Sequence, residues 1–268
     1  MNIRQLFLAG FSVALVLSSG RAETASAPHA TSHDAPAHGA HWSYEGATGP
    51  AHWAELDPGV VQGKAQSPID LVTTAAVNPP SGPLALHFTG HEYLAGEEDN
   101  GHTIQVTLET GSTFTTARGT YALKQFHFHT PSEHTVDGRS FPLEVHFVHQ
   151  SADGHLAVVG VFFVEGPANE NLAQLIAHFP AEHKAEHFPA DKIDFNLRPP
   201  VDTTAYNYQG SLTTPPCTEG VDWYLFRQPM TASREQIAAF AARLHHNNRP
   251  VQPLNGRAIE VVRIADQQ

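Results

Sequence analysis

Two short runs in the middle of the chain carry residues that could do metal chemistry: Gln125-Phe126-His127-Phe128-His129 and Leu143-Glu144-Val145-His146-Phe147-Val148-His149. Successive side chains of an extended strand point to opposite faces, so His127 and His129 share one face and Phe126 and Phe128 the other. The same alternation in the second run puts Glu144, His146 and Val148 together. Pro-Ser and Asp-Gly steps between the runs predict an antiparallel return that could bring His146 opposite the first pair. Three neutral imidazoles fit a tetrahedral zinc ion, Zn2+, whose fourth position is left to water, the open geometry of a catalytic site. A His-X-His pair is a weak signal in a chain with 19 histidines. Its setting strengthens it: both runs are aromatic and β-branched, hence buried, and buried histidines need partners.

The elements that must position these rings are mostly short strands. Apolar runs predict strands over residues 84–88, 103–109, 112–117 and 156–164 in addition to the two histidine runs, and 20 Gly and 20 Pro punctuate them. Two helices are predicted. Asn169 caps a turn carrying Leu172, Leu175 and Ile176, and Ser233 with Gln236 makes a capping box before Ile237, Phe240 and Leu244. Both apolar stripes read as faces packed on the sheet. The fold class expected is mainly β (α+β): a single domain with a large twisted, mostly antiparallel central sheet and short peripheral helices.

Residues 1–22 read as a secretory signal peptide, with Arg4, an apolar stretch over residues 6–17 and then small residues; cleavage could fall as late as 27. The apolar stretch is shorter than the roughly 20 residues that span a bilayer, so no membrane insertion is expected once the signal is removed. Residues 23–40, rich in Ala, Pro, Ser, Thr and His, read as a disordered leader. Residues 41–268 suit one catalytic domain. The formal charge of −12 argues against nucleic acid as a partner. The expected destination is periplasmic or secreted, and a homodimer is left open.

The runs QFHFH, SEHTVDG and EVHFVH, followed by YQGSLTTPPC and NNRPVQPL, resemble the α-class carbonic anhydrases, of the exported bacterial type, over roughly residues 41–264. The resemblance implies reversible hydration of carbon dioxide to bicarbonate and a proton, with zinc on His127, His129 and His146 and attack by a zinc-held hydroxide. It implies that Gln125 orients His127, Glu144 orients His146, and a main-chain carbonyl near Asn247 receives His129. Thr213 would donate to Glu133 and so read the proton of the nucleophile. Val148, Val158, Leu212, Thr214, Val221 and Trp223 would wall the substrate pocket. His102 would shuttle the proton out, with Tyr44, Asn100 and Gln105 lining the water path. His102 and Gln105, three positions apart, can both face the pocket only through an irregularity such as a bulge. The resemblance further implies a twisted sheet of about ten strands and cis bonds at Ser67-Pro68 and Pro215-Pro216. It places Val61 where secreted relatives pair a cysteine with the position of Cys217, the lone cysteine. Two other readings stand beside this one: a catalytically silent binding protein of the same fold, and a zinc-dependent esterase.

Overall fold

The computed structural model describes residues 41–78, 84–87, 92–109, 111–188, 193–195 and 200–266. The expected signal peptide and leader lie outside them. Among the described residues there are fifteen strands and three α-helices. The strands are β1 (Asp70–Leu71), β2 (Leu84–His87), β3 (Glu92–Asp99), β4 (Ile104–Leu108), β5 (Thr113–Thr116), β6 (Gly119–His129), β7 (Thr135–Val136) and β8 (Leu143–Ser151). After these come β9 (Leu156–Glu165), β10 (Ala185–His187), β11 (Asp194–Phe195), β12 (Thr204–Ser211), β13 (Glu219–Phe226), β14 (Met230–Ala232) and β15 (Glu260–Asp266). The helices are α1 (Trp53–Leu56), α2 (Glu170–Ala177) and α3 (Arg234–Leu244).

Strands β1 and β7 form a small pair, and the other strands form one 13-stranded sheet in the order β10-β3-β4-β6-β5-β2-β15-β12-β13-β9-β14, with β8 bonded to β6 and β9 and β11 bonded to β3. Its pairings are antiparallel except β13–β9, β14–β9 and β15–β2. The strands beyond the expected ten or so are two- and three-residue edge pieces such as β10, β11 and β14, too short to show a periodic pattern.

Alternate residues of the central strands enter different cores. Along β9, Ala157, Val159, Val161 and Phe163 join one cluster, and Val158 and Phe162 join the other. The first cluster also takes Phe126 and Phe128 from β6, with Phe128 packed against Phe240 of α3 at 4.5 Å between ring centroids. Burying a phenylalanine of this kind stabilises by roughly 1.5–3 kcal/mol. The strand that carries two candidate ligands is therefore anchored through its opposite face.

Both expected helix caps form: Asn169 accepts from the Leu172 N–H at 3.2 Å, and Ser233 and Gln236 make the reciprocal box. Helix α1 was not expected, because one turn of four residues offers no apolar period. The return between β6 and β8 contains a two-residue turn, Asp137 and Gly138 at φ 47° and 74°, across which Val136 and Arg139 exchange backbone bonds of 3.0 Å.

The irregularity expected between His102 and Gln105 is a turn rather than a bulge. Asn100 Oδ1 accepts from the N–H groups of His102 and Thr103, both at 3.0 Å, so His102 precedes β4 and escapes strand alternation. The cis peptides include Ser67-Pro68 and Pro215-Pro216, with Thr130-Pro131 in addition. Val61 donates its N–H to the carbonyl of Pro216, beside the buried free Cys217. No helix among the described residues is long and apolar enough to cross a membrane.

Candidate metal centre

The register of β6 on β8 sets His127 opposite His146 and His129 opposite Glu144. An extra residue near Lys124, where the register shifts between Leu123 and Gln125, precedes this stretch and sets its parity. Ring centroids of the three histidines lie 4.6–5.4 Å apart, and one ligand nitrogen of each falls within 4.8 Å of the others.

On every ring the second nitrogen is already engaged. His127 Nδ1 donates to Gln125 Oε1 at 2.8 Å, His129 Nδ1 to the Asn247 carbonyl at 2.7 Å, and His146 Nε2 to Glu144 Oε1 at 2.7 Å. Those acceptors fix the tautomers and leave lone pairs on Nε2 of His127, Nε2 of His129 and Nδ1 of His146. The last two atoms are buried without a partner among the described residues. Converging, buried, unpartnered lone pairs are costly unless a cation takes them, and three imidazole nitrogens suit zinc. Burial, then repulsion from His129 and His146, holds His127 well below the usual imidazole range; burial lowers His129 as well. These two rings are thus held toward the neutral form that a metal requires.

Glu144 does more than orient one ring. Its Oε2 accepts the backbone N–H groups of Glu133 and His134 at 2.9 and 3.0 Å, and its Oε1 accepts His134 Nδ1 at 2.8 Å as well as His146. Burial alone would raise its pKa, but attraction to His134 and His146 and the bonds they donate outweigh burial and hold the carboxyl far below its ordinary range. The network continues outward: Tyr208 donates to His134 Nε2 and receives from Ser67 Oγ, each at 2.7 Å. His134, Glu144 and His146 also lie within ligand distance of one another, but their facing atoms are spent on these hydrogen bonds.

Glu133 Oε1 accepts the Arg249 N–H at 2.9 Å. Its Oε2 is buried without a hydrogen-bond partner among the described residues, 3.5 Å from His129 Nε2 and 3.9 Å from His146 Nδ1. The expected Thr213–Glu133 hydrogen bond is not formed among the described residues; Oε2 leans toward the imidazole nitrogens instead. Thr213 is buried in a tight loop closed by Cys217 N–H to the Thr214 carbonyl at 2.8 Å and Leu212 N–H to the Thr218 carbonyl at 3.0 Å.

The expected apolar wall is brought together. Val158, Val221 and Trp223 belong to one buried cluster, with Val148 and Leu212 packed against it. Val158 pairs with Val148 on one side and Trp223 on the other, and the Trp223 ring lies 4.8 Å from His146. The wall therefore borders the histidine cluster.

His102 lies in a cavity of about 420 Å³ together with Tyr44. Its ring stacks on Trp42 at 3.7 Å and 6°. Burial first, then the charges of His41 and His183, lower its pKa. Tyr44 has a buried hydroxyl without a partner among the described residues and a pKa raised well above the phenol range by burial, then by Glu133 and Cys217. Gln105 sits on β4 opposite His127. Sequence reasoning placed a carbonyl at Asn247 but missed its side chain, which donates to the carbonyls of His102 at 2.9 Å and Phe128 at 2.8 Å and so ties the His102 turn to β6, the strand of His127 and His129. It also gave no role to Arg249, whose guanidinium binds Gln66 and the Ser67 carbonyl and lies over Trp53. A buried arginine inside NNRPVQPL is the signal that could have found it.

Comparison with known proteins agrees with this geometry. The family model for eukaryotic-type carbonic anhydrase matches residues 48–263. A carbonic anhydrase of Pectobacterium atrosepticum is 42% identical over 93% of this chain and 98% of its own length, and one of Pectobacterium carotovorum is 45% identical over 82% and 90%. The α-carbonic anhydrase of Thermovibrio ammonificans, solved with the inhibitor sulfanilamide, superposes with a TM-score of 0.76 at 40% identity, covering 83% of this chain and all of that one. A match of this extent places the chain in the eukaryotic-type, or α, carbonic anhydrase family, and it is an enzyme of that class.

Proposed function

We propose that the chain hydrates carbon dioxide reversibly at a zinc ion held by His127, His129 and His146. Bound there, zinc would supply the Lewis acidity that makes water a nucleophile near neutral pH. The observation that carries this reading is the set of three inward nitrogen lone pairs, each on a ring whose other nitrogen donates to Gln125, Asn247 or Glu144.

The remaining roles belong to the chain's own atoms. Carbon dioxide has no charge to grip, and the wall of Val148, Val158, Leu212, Val221 and Trp223 offers it a dry, apolar seat, with Thr214 at the margin. Thr213, buried in its loop, is the hydroxyl that would accept the nucleophile's proton and so aim its lone pair at substrate, without the bond to Glu133 that the resemblance implied. His102 takes the proton released in turnover, through water held by Tyr44, Asn100 and Gln105, because an imidazole titrates near the working pH. The early apolar stretch and small residues support export to the periplasm or beyond it, with removal of residues 1–22 and a leader over residues 23–40. Substrates are carbon dioxide, bicarbonate and water. The silent-relative reading loses ground because all three ligands are present and oriented.

Stopped-flow carbon dioxide hydration, measured with zinc content before and after chelation, tests the proposal. Activity should vanish with the metal and return on adding zinc; full hydration by metal-free protein would refute it. Ester hydrolysis on the same preparation should stay the slower reaction, and an ester rate equal to hydration would favour the esterase reading.

A further inference from the structure

We infer that His183 is a second proton-transfer residue, which receives the proton from His102 at the outer wall of the shared cavity and releases it to solvent. This rests on the reading of His102 as the shuttle. Both histidines line the same cavity of about 420 Å³. The His183 ring lies against the backbone of Gly101, the residue before His102: a Cβ at Gly101 would fall 2.9 Å from both Cε1 and Nδ1 of that ring. Glycine suits the position, since Gly101 also has φ +82°, where a side chain would be strained and would displace the ring.

The segment carrying His183 is built to hold it. His183 itself has φ 56°, a left-handed conformation that costs a non-glycine residue energy and persists where its surroundings enforce it. Lys184 N–H binds the Ala181 carbonyl at 3.0 Å, and Asp99 N–H binds the Lys184 carbonyl at 2.9 Å, so the segment is strapped to the end of β3. Arg243 then clamps both loops, donating to Asp99 Oδ2 and to the Pro180 carbonyl at 2.7 Å each, while Asp99 Oδ1 receives the Gly101 N–H at 3.0 Å. One arginine thereby fixes the turn of His102 relative to the turn of His183.

The chemistry runs outward. Burial and the neighbouring His41 and His183 disfavour a proton on His102, whereas His183 is exposed. The other ionisable groups around the cavity are His41, Tyr44, Glu45, Asp99, Glu182, Arg243 and His245. In the transfer an N–H bond of the His102 imidazolium breaks, the proton passes through water, and an N–H bond forms on His183; His102 returns neutral, and a buffer base then takes the proton from His183.

His183→Asn tests this on the zinc-loaded full chain, because asparagine tolerates the left-handed backbone. At low buffer its kcat should fall about threefold with kcat/KM held, since only proton release is slowed, and added imidazole should restore it. In a His102→Ala background the same change should have no further effect, because the path is already cut. An unchanged kcat, or an equal fall in that background, would overturn the inference. If His102→Ala itself keeps full kcat at low buffer, the reading of His102 fails with it; a slow His102→Ala beside a normal His183→Asn removes His183 alone.

Discussion

Two groups of histidines lie close together in this chain and are held in opposite ways. His127, His129 and His146 sit on adjacent strands, and each donates to a fixed acceptor. His102 and His183 sit in turns; the His102 ring is held by stacking on Trp42, and the His183 ring lies exposed over Gly101. A metal ligand must present one lone pair in one direction, which a strand and a second hydrogen bond enforce. A proton carrier must pass a proton on, and a ring held by stacking keeps its nitrogens free.

The contrast breaks most completely at the ligands. Replacing His129 or His146 with alanine should abolish zinc binding and carbon dioxide hydration together, read by metal content and stopped flow; retained activity would exclude the ligand assignment. Next come the acceptors behind the rings. Glu144→Gln should weaken zinc affinity by about 10- to 100-fold in chelator competition. Gln125→Ala should do less, since Gln125 serves one ring while Glu144 also holds His134 and two backbone N–H groups. Equal losses would mean that the wider network adds nothing.

His102→Ala sharpens the other half. Zinc should stay bound, kcat at low buffer should fall by at least about tenfold, and imidazole should rescue it. Metal loss instead would show the two groups to be one structural unit, joined through Asn247.

The smallest effect is on stability near the strap that carries His183. Glu97 of β3 is 1% exposed, both its carboxylate oxygens lack a partner among the described residues, and burial, then Glu186, raise its pKa from 4.5 to about 8. The folded chain therefore keeps a proton on Glu97 that the unfolded chain gives up above about 4.5. Stability falls as pH rises from there to about 8 and loses nothing more from this group beyond it. Glu97→Gln should flatten that slope in urea unfolding curves taken across this range; an unchanged slope would mean that the carboxyl finds a partner.

The strands with strong alternation, both helix caps and the grouping of His127, His129 and His146 were legible from the residues, because periodicity, capping chemistry and the Asp-Gly turn are local. Strands β3, β12, β13 and β15 were not anticipated. Gly96 and a register shift interrupt β3, and β12 and β13 mix buried and polar residues, so neighbouring strands rather than local pattern decide them. The roles of Gln125, Glu144 and Asn247 came from resemblance, and the structure supplied their distances. That His127 and His146 would face each other followed from alternation and an antiparallel return. That Asn247 joins the two histidine groups, that Arg243 clamps two loops, and that His134 relays Glu144 to Tyr208 followed only from tertiary structure. These partners are 10 to 145 residues apart, and no local preference encodes which distant side chain will fill a buried hydrogen bond.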